Sequence, residues 1–285
     1  MTAMFETILS VDDLHTLIAR GDQPLVLDCE FDLADPDRGR AIYLESHLPG
    51  ARYLDLERDM SGTVTGANGR HPLPARTAFA ATMRQLGLQG GRQVVLYDTA
   101  GGIYAARGWW MLRWLGHAAV AVLDGGRKAW IDAGLPLEHG DPEPARDGAF
   151  TLDEPLVGQP VSADDLLANL TGGALQVIDA RDAQRFGGAP HPLDAVAGHI
   201  PGATNRFFRD NLDEHGRFLP AADLAPAFET ALAGKPPEQA VLQCGSGVTA
   251  CHNALAMQIA GLSGARLYPG SWSEWSSDPA RPIAG

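Results

Sequence analysis

Along the chain, short apolar runs of strand length alternate with segments whose apolar residues recur at helical spacing. Ser10, followed by Asp13 and by Leu14, Leu17 and Ile18, predicts a capped helix start. Pro24-Leu-Val-Leu-Asp28 predicts a buried strand ending in an acid. From Pro74 to Gly87, Phe79, Met83 and Leu86 mark a helix with Pro near its start and Gly at its end. Gln93-Val-Val-Leu-Tyr-Asp98 is a further strand, and a helix carrying Trp109, Trp110, Leu112 and Leu115 follows it.

The pattern then repeats in the same order. Ser162-Ala-Asp-Asp165-Leu-Leu matches the first helix start, and Leu175-Gln-Val-Ile-Asp179 the first strand. His47-Leu-Pro-Gly-Ala51 finds its echo in His199-Ile-Pro-Gly-Ala203, and Ala221 to Ala233 fills the place of the Pro74 helix. Gln239-Ala-Val-Leu-Gln-Cys244 aligns with Gln93 to Asp98, so Asp98 stands where the second half has a cysteine. Leu123-Asp-Gly-Gly-Arg-Lys-Ala-Trp130 parallels Tyr268-Pro-Gly-Ser-Trp-Ser-Glu-Trp275. Matched elements at a nearly constant offset predict a tandem duplication. Strands alternating with helices make each half an α/β unit, a mainly parallel sheet with helices on both faces. We place the first domain at 1–137, a linker rich in Pro, Gly and charge at 138–158, and the second domain at 159–285.

Composition narrows the partners. A net charge of −13 over 285 residues disfavours nucleic acid and anionic membranes, because phosphate binding needs a basic footprint. Apolar runs are broken by charge, Gly or Pro well short of a membrane span, and the N-terminus lacks a secretory pattern. Cys29, Cys244 and Cys251 are an odd set in no metal-ligand spacing, which predicts a reducing, cytoplasmic setting and no bound metal.

The stretch with chemistry in it is Ala240-Val-Leu-Gln-Cys244-Gly-Ser-Gly-Val-Thr249. It reads as a buried strand, a tight loop and a helix start, with Cys244 at the strand's end and Gly245 and Gly247 permitting positive φ and close backbone approach. An ordinary thiol, with a pKa of about 8.5, is roughly 3% thiolate at neutral pH, so a nucleophilic cysteine needs its anion stabilised. The amides of residues 245 to 249, curled round the sulfur, would form an anion-binding nest able to hold a thiolate or a persulfide, with Ser246 adding a hydroxyl. A purely structural buried cysteine before a Gly-rich turn is the competing interpretation.

Cys244-Gly-Ser-Gly-Val-Thr249 resembles the active-site loop of the rhodanese superfamily of sulfurtransferases, in the form of its mercaptopyruvate branch. The order of elements over nearly the whole chain is similar to the two-domain members, whose first half is inactive and whose site lies in the cleft between halves. The resemblance implies that Arg185, before Phe186, faces the donor, and that Glu57, His71 and Ser246 form a proton relay. Gly245, Gly247, Val248 and Thr249 of that loop are the candidate donor-binding residues, and Trp272 and Trp275 in Gly-Ser-Trp-Ser-Glu-Trp either wall the pocket or pack in the core. A second substrate Arg typical of that branch is Leu193 here.

The reaction so implied is attack of Cys244 on the sulfur of 3-mercaptopyruvate, a small-molecule sulfur donor, giving a persulfide that passes to a thiol, a thioredoxin-like protein or cyanide, with no organic cofactor. Thiosulfate is the alternative donor. A cysteine phosphatase would need an Arg where the chain has Ala250, and a non-catalytic binding scaffold would not need an intact cysteine beside two glycines.

Overall fold

The computed structural model describes residues 4–143 and 145–285, which divide into two compact units. The first comprises the described residues up to Ser61, those of Pro74–Leu156, and Glu214–Arg217; the second comprises Gly62–Leu73, Val157–Asp213 and Phe218–Gly285. Chain order and unit therefore differ at one functional place, since the turn carrying Arg70 and His71 belongs to the second unit.

In the first unit the chain runs β1 (Ile8–Leu9), α1 (Val11–Ala19), β2 (Leu25–Asp28), α2 (Pro36–Glu45), β3 (Arg52–Tyr53), α3 (Arg76–Gln85), β4 (Val94–Tyr97), α4 (Ile103–Trp114), β5 (Val120–Leu123) and α5 (Gly126–Asp132). Its five strands pair in parallel in the order β1-β5-β4-β2-β3. All residues of β2, β4 and β5 are buried, as expected of parallel strands covered on both faces.

The second unit holds α6 (Ala163–Gly172), β6 (Gln176–Asp179), α7 (Ala183–Phe186), β7 (Thr204–Asn205), α8 (Ala221–Ala231), β8 (Ala240–Gln243), α9 (Thr249–Ile259), β9 (Arg266–Leu267) and α10 (Ser271–Trp275). Its parallel order β7-β6-β8-β9 repeats β3-β2-β4-β5. The α/β class and the doubling expected from the sequence are thus both present.

Local chemistry repeats with the topology. Ser10 Oγ accepts from the Asp13 N–H at 3.1 Å while the Asp13 carboxylate accepts from the Ser10 N–H at 3.1 Å. The same reciprocal cap joins Ser162 and Asp165 at 3.2 and 2.9 Å. Such a cap is worth about 1 kcal/mol and sets where each domain's first helix begins. The short edge strands β3, β7 and β9 and the helix α2 carry too few periodic residues to announce themselves, and tertiary packing decides them.

Candidate active site

Cys244 follows the last residue of β8, and its backbone is pinned on both sides. Its N–H donates to Ser271 Oγ at 3.1 Å, and its carbonyl accepts from the Trp272 N–H at 2.9 Å. The Gly245 carbonyl accepts from the Ser273 N–H, also at 2.9 Å, so α10 clamps the strand end. The chain then turns through Gly247 at φ +79°, where a Cβ would stand 2.4 Å from the Pro269 carbonyl oxygen. Any other residue there would be strained by conformation and blocked by backbone.

That turn aims the Gly247 N–H at the Cys244 sulfur, 3.1 Å away. The Cys251 thiol donates to the Gly247 carbonyl at 3.3 Å, so the second cysteine braces the peptide that holds the first. Val248 and Thr249 carry the loop into α9. Ser246 Oγ lies 2.8 Å from His71 Nδ1, and both residues are buried.

Two guanidinium groups close over the loop. A Cβ on Gly245 would lie 2.9 Å from Arg70 Nη2 and 3.1 Å from Arg185 Nη2, so both guanidinium groups pack on the loop at that residue. Cys244 itself is 2% exposed. Arg185 is held by the Asp194 carboxylate through Nε and Nη2, each at 2.8 Å, and Arg70 Nη1 donates to the Leu193 carbonyl. Arg181, fully buried and 4.7 Å above the Trp272 ring, bonds Asp179 at 2.7 Å and reaches Asp194 at 3.4 Å.

Electrostatics follow from this packing. Burial pushes Asp194 up, but the Arg185 hydrogen bonds and the charges of Arg185, Arg181 and Arg70 outweigh it and hold the carboxyl below its ordinary range. Burial lowers Arg70, against the pull of Cys244 and Asp194. For Arg185 burial is again the largest influence, but the Asp194 contact and the Cys244 charge outweigh it and raise the group.

The sequence-derived candidates fall into three groups. Cys244, Gly245, Ser246, Gly247, Val248, Thr249, His71 and Arg185 belong to the second unit. Trp272 is wholly buried beneath Arg181, and its backbone N–H holds the Cys244 carbonyl. Glu57 belongs to the first unit, where it is exposed and its N–H donates to the Asp55 carboxylate at 2.8 Å. Arg70, Asp194 and Ser271 were not anticipated. The first stands next to His71 in the Asn68-Gly-Arg-His-Pro turn, and that adjacency was its signal.

The corresponding place in the first unit is filled from within. Asp98 Oδ1 accepts from the N–H groups of Ala100 and Gly102, both at 2.8 Å, and Oδ2 from those of Tyr104 at 2.9 Å and Ala105 at 3.0 Å. The turn there is a complete anion cradle occupied by the chain's own carboxylate. Cys29 beside it is no counterpart of Cys244: burial, then the charges of Asp98, Asp28 and Glu30, push its thiol well up. A surface cavity of about 310 Å³ lined by Met4, Leu17, Arg92 and Gln93 offers no thiol, hydroxyl or imidazole.

The model of the rhodanese-like domain matches this chain twice, over residues 10–133 and 162–278. The chain belongs to the rhodanese-like family. Among its relatives in that family, a Pseudomonas aeruginosa protein provisionally named 3-mercaptopyruvate sulfurtransferase is 48% identical over 272 residues, covering 94% of this chain and 95% of that one. A Mycobacterium tuberculosis protein, provisionally named thiosulfate sulfurtransferase SseB, is 39% identical over 285 residues, covering 99% and 98%. The solved 3-mercaptopyruvate sulfurtransferase from Leishmania major superposes with a TM-score of 0.85 at 29% identity, covering 98% of this chain and 76% of that one. Both domains of this rhodanese-like protein thus have their match, and its cysteine loop lies in the second.

Proposed function

We propose that the chain is a sulfurtransferase that takes sulfane sulfur from 3-mercaptopyruvate and passes it to a thiol or cyanide acceptor through a persulfide on Cys244. The observation that carries this reading is a cysteine sulfur accepting a loop amide at 3.1 Å, with two guanidinium groups packed on the neighbouring Gly245. A sulfur placed so is suited to anionic partners, and the donor is an anion.

In this reading Arg185 and Arg70 receive the donor carboxylate, with Arg70 supplying the cation that Leu193 does not. Cys244 as thiolate attacks the donor sulfur, the C–S bond breaks, and its electron pair forms the enolate of pyruvate. The proton originally on the donor thiol ends on that carbon. Ser246 and His71, in contact at 2.8 Å, move it, and Glu57 is the acid assigned to the same relay. The amides of Gly245, Gly247, Val248 and Thr249 hold the charge of the persulfide. A thiol, a thioredoxin-like protein or cyanide then attacks the outer sulfur. Asp98 bears no sulfur to transfer, so the first domain is assigned a structural part. Among the described residues no helix is long and apolar enough to cross a membrane, and a cytoplasmic setting is part of the proposal.

Incubation with 3-mercaptopyruvate should add one sulfur atom to the peptide containing Cys244, with pyruvate released. The same transfer by Cys244→Ser would end the proposal. Thiosulfate as principal donor is the second reading, favoured by the name of the mycobacterial relative. Its kcat/KM against that for 3-mercaptopyruvate decides between them.

A further inference from the structure

The arginines above the cysteine are not free to take charge without limit. Arg70, Arg181 and Arg185 are set against Asp179 and Asp194, all within the second unit. Asp179 is spent on Arg181, through Nε and Nη2. Asp194 sits at the junction: its carboxylate spans the Nε–Nη2 edge of Arg185 and touches Arg181, while the carbonyl of the preceding Leu193 takes Arg70. One dipeptide therefore aims three guanidinium groups and cancels part of their charge. Further out, the Asp182 carboxylate caps α7 by accepting the Arg185 N–H at 3.0 Å.

The consequence concerns which anion the site takes. With Nε and Nη2 bonded to Asp194, the edge Arg185 has left for a ligand is Nη1–Nη2, room for one carboxylate, and Nη2 lies 3.1 Å from where a Gly245 Cβ would stand. Three guanidinium groups against two carboxylates leave one net positive charge, which the Cys244 thiolate shares, so a monoanionic 2-oxo carboxylate meets less repulsion there than a dianion. Thiosulfate brings two negative charges at neutral pH, and the second meets Asp194 with no cation left to offset it. We infer that Asp194 is a positioning residue that selects a monoanionic carboxylate donor over a dianionic sulfur oxyanion, by holding Arg185 and withdrawing one unit of charge from the donor site. The inference rests on the sulfurtransferase reading above.

Either donor enters the same chemistry. Cys244 thiolate forms an S–S bond to the donor sulfur, and the leaving group departs with the electron pair, as pyruvate enolate that is then protonated or as sulfite. The test compares kcat/KM for 3-mercaptopyruvate and thiosulfate in the wild type, Asp194→Asn and Asp194→Glu. Asn removes the charge and keeps the shape, so the thiosulfate to mercaptopyruvate ratio should rise on the order of tenfold, chiefly through KM for thiosulfate. Glu restores the charge and should return the ratio to within about twofold of the wild type. An unmoved ratio in Asp194→Asn, or an equal shift in Asp194→Glu, overturns the inference. Inhibition of the wild type reads the same preference without a substitution: sulfate should inhibit less than pyruvate, and equal or stronger inhibition by sulfate overturns it. Mass spectrometry keeps the two levels apart. A persulfide on wild-type Cys244 with an unmoved ratio removes this inference alone, whereas no persulfide with either donor removes the sulfurtransferase reading and this with it.

Discussion

His71 Nδ1 and Ser246 Oγ lie 2.8 Å apart across 175 residues of sequence, both buried within the same structural unit. A hydroxyl and an imidazole in contact beside a cysteine loop act on one proton, so their effects should not add. We expect His71→Asn and Ser246→Ala each to lower kcat by about 10²-fold, the range of a lost proton-transfer partner. The double variant should be hardly worse than either single one. Steady-state kinetics with 3-mercaptopyruvate checks this, and full additivity would mean the contact is not used. Glu57→Gln, assayed beside them, should fall in the same range, and an unchanged kcat would remove that acid from the relay.

Removing either cover cation should read in binding. A lost charge-assisted contact is worth about 1.5–3 kcal/mol, so Arg70→Gln or Arg185→Gln should raise KM for 3-mercaptopyruvate by roughly 10- to 100-fold. Arg185→Lys should not rescue, because a point charge cannot bind Asp194 and a donor carboxylate through two separate edges. Recovery by lysine would show that charge alone matters there.

At Gly247 the backbone itself is at stake. Its φ of +79° and the 2.4 Å approach of a Cβ to the Pro269 carbonyl oxygen mean that Gly247→Ala must displace the loop. The cost is about 1–3 kcal/mol of stability, with activity falling at least about tenfold as the amide leaves the sulfur. Denaturant melts and donor kinetics measure the two effects separately. An active, equally stable variant would show that the amide does not hold the sulfur.

In the first unit Asp98 answers four backbone N–H groups, and Asp98→Ala should cost about 2–4 kcal/mol by leaving them buried without an acceptor. Urea unfolding of the two proteins gives the difference directly. Sulfur transfer measured well below the melting transition should persist in the variant, since the persulfide is assigned to the other domain.

Nearby carboxyls make stability depend on pH. Burial raises Asp28 to about 6 and Glu30 to about 7, in each case against hydrogen bonds that lower it. The folded chain then binds these protons more tightly than the unfolded chain, whose carboxyls titrate near 4. Their favourable contribution is complete below about pH 4 and is lost as pH rises through about 7. Glu30→Gln should flatten the fall in stability between about pH 5 and 7.5 by on the order of 1 kcal/mol, allowing for solvent screening. Melts at the two pH values would show it, and an unchanged slope would mean that Glu30 is ionised throughout.

The doubling, the parallel α/β layout and the position of Cys244 were legible in the amino-acid order, because caps, strand runs and Gly-bearing turns are local and recur at matched places. The residue at the end of the matching strand in each half was equally legible, Asp98 in one and Cys244 in the other. What covers the sulfur was not. Arg70 reaches the loop because residues 62–73 pack with the second unit although they precede most of the first, and Asp194 orders three arginines from a loop without periodicity. The sequence left Trp272 open between pocket wall and core, and packing buries it under Arg181. Local patterns set where the chain bends and where a nucleophile stands. Which distant charges converge on it depends on how loops pack, and no short-range spacing encodes that.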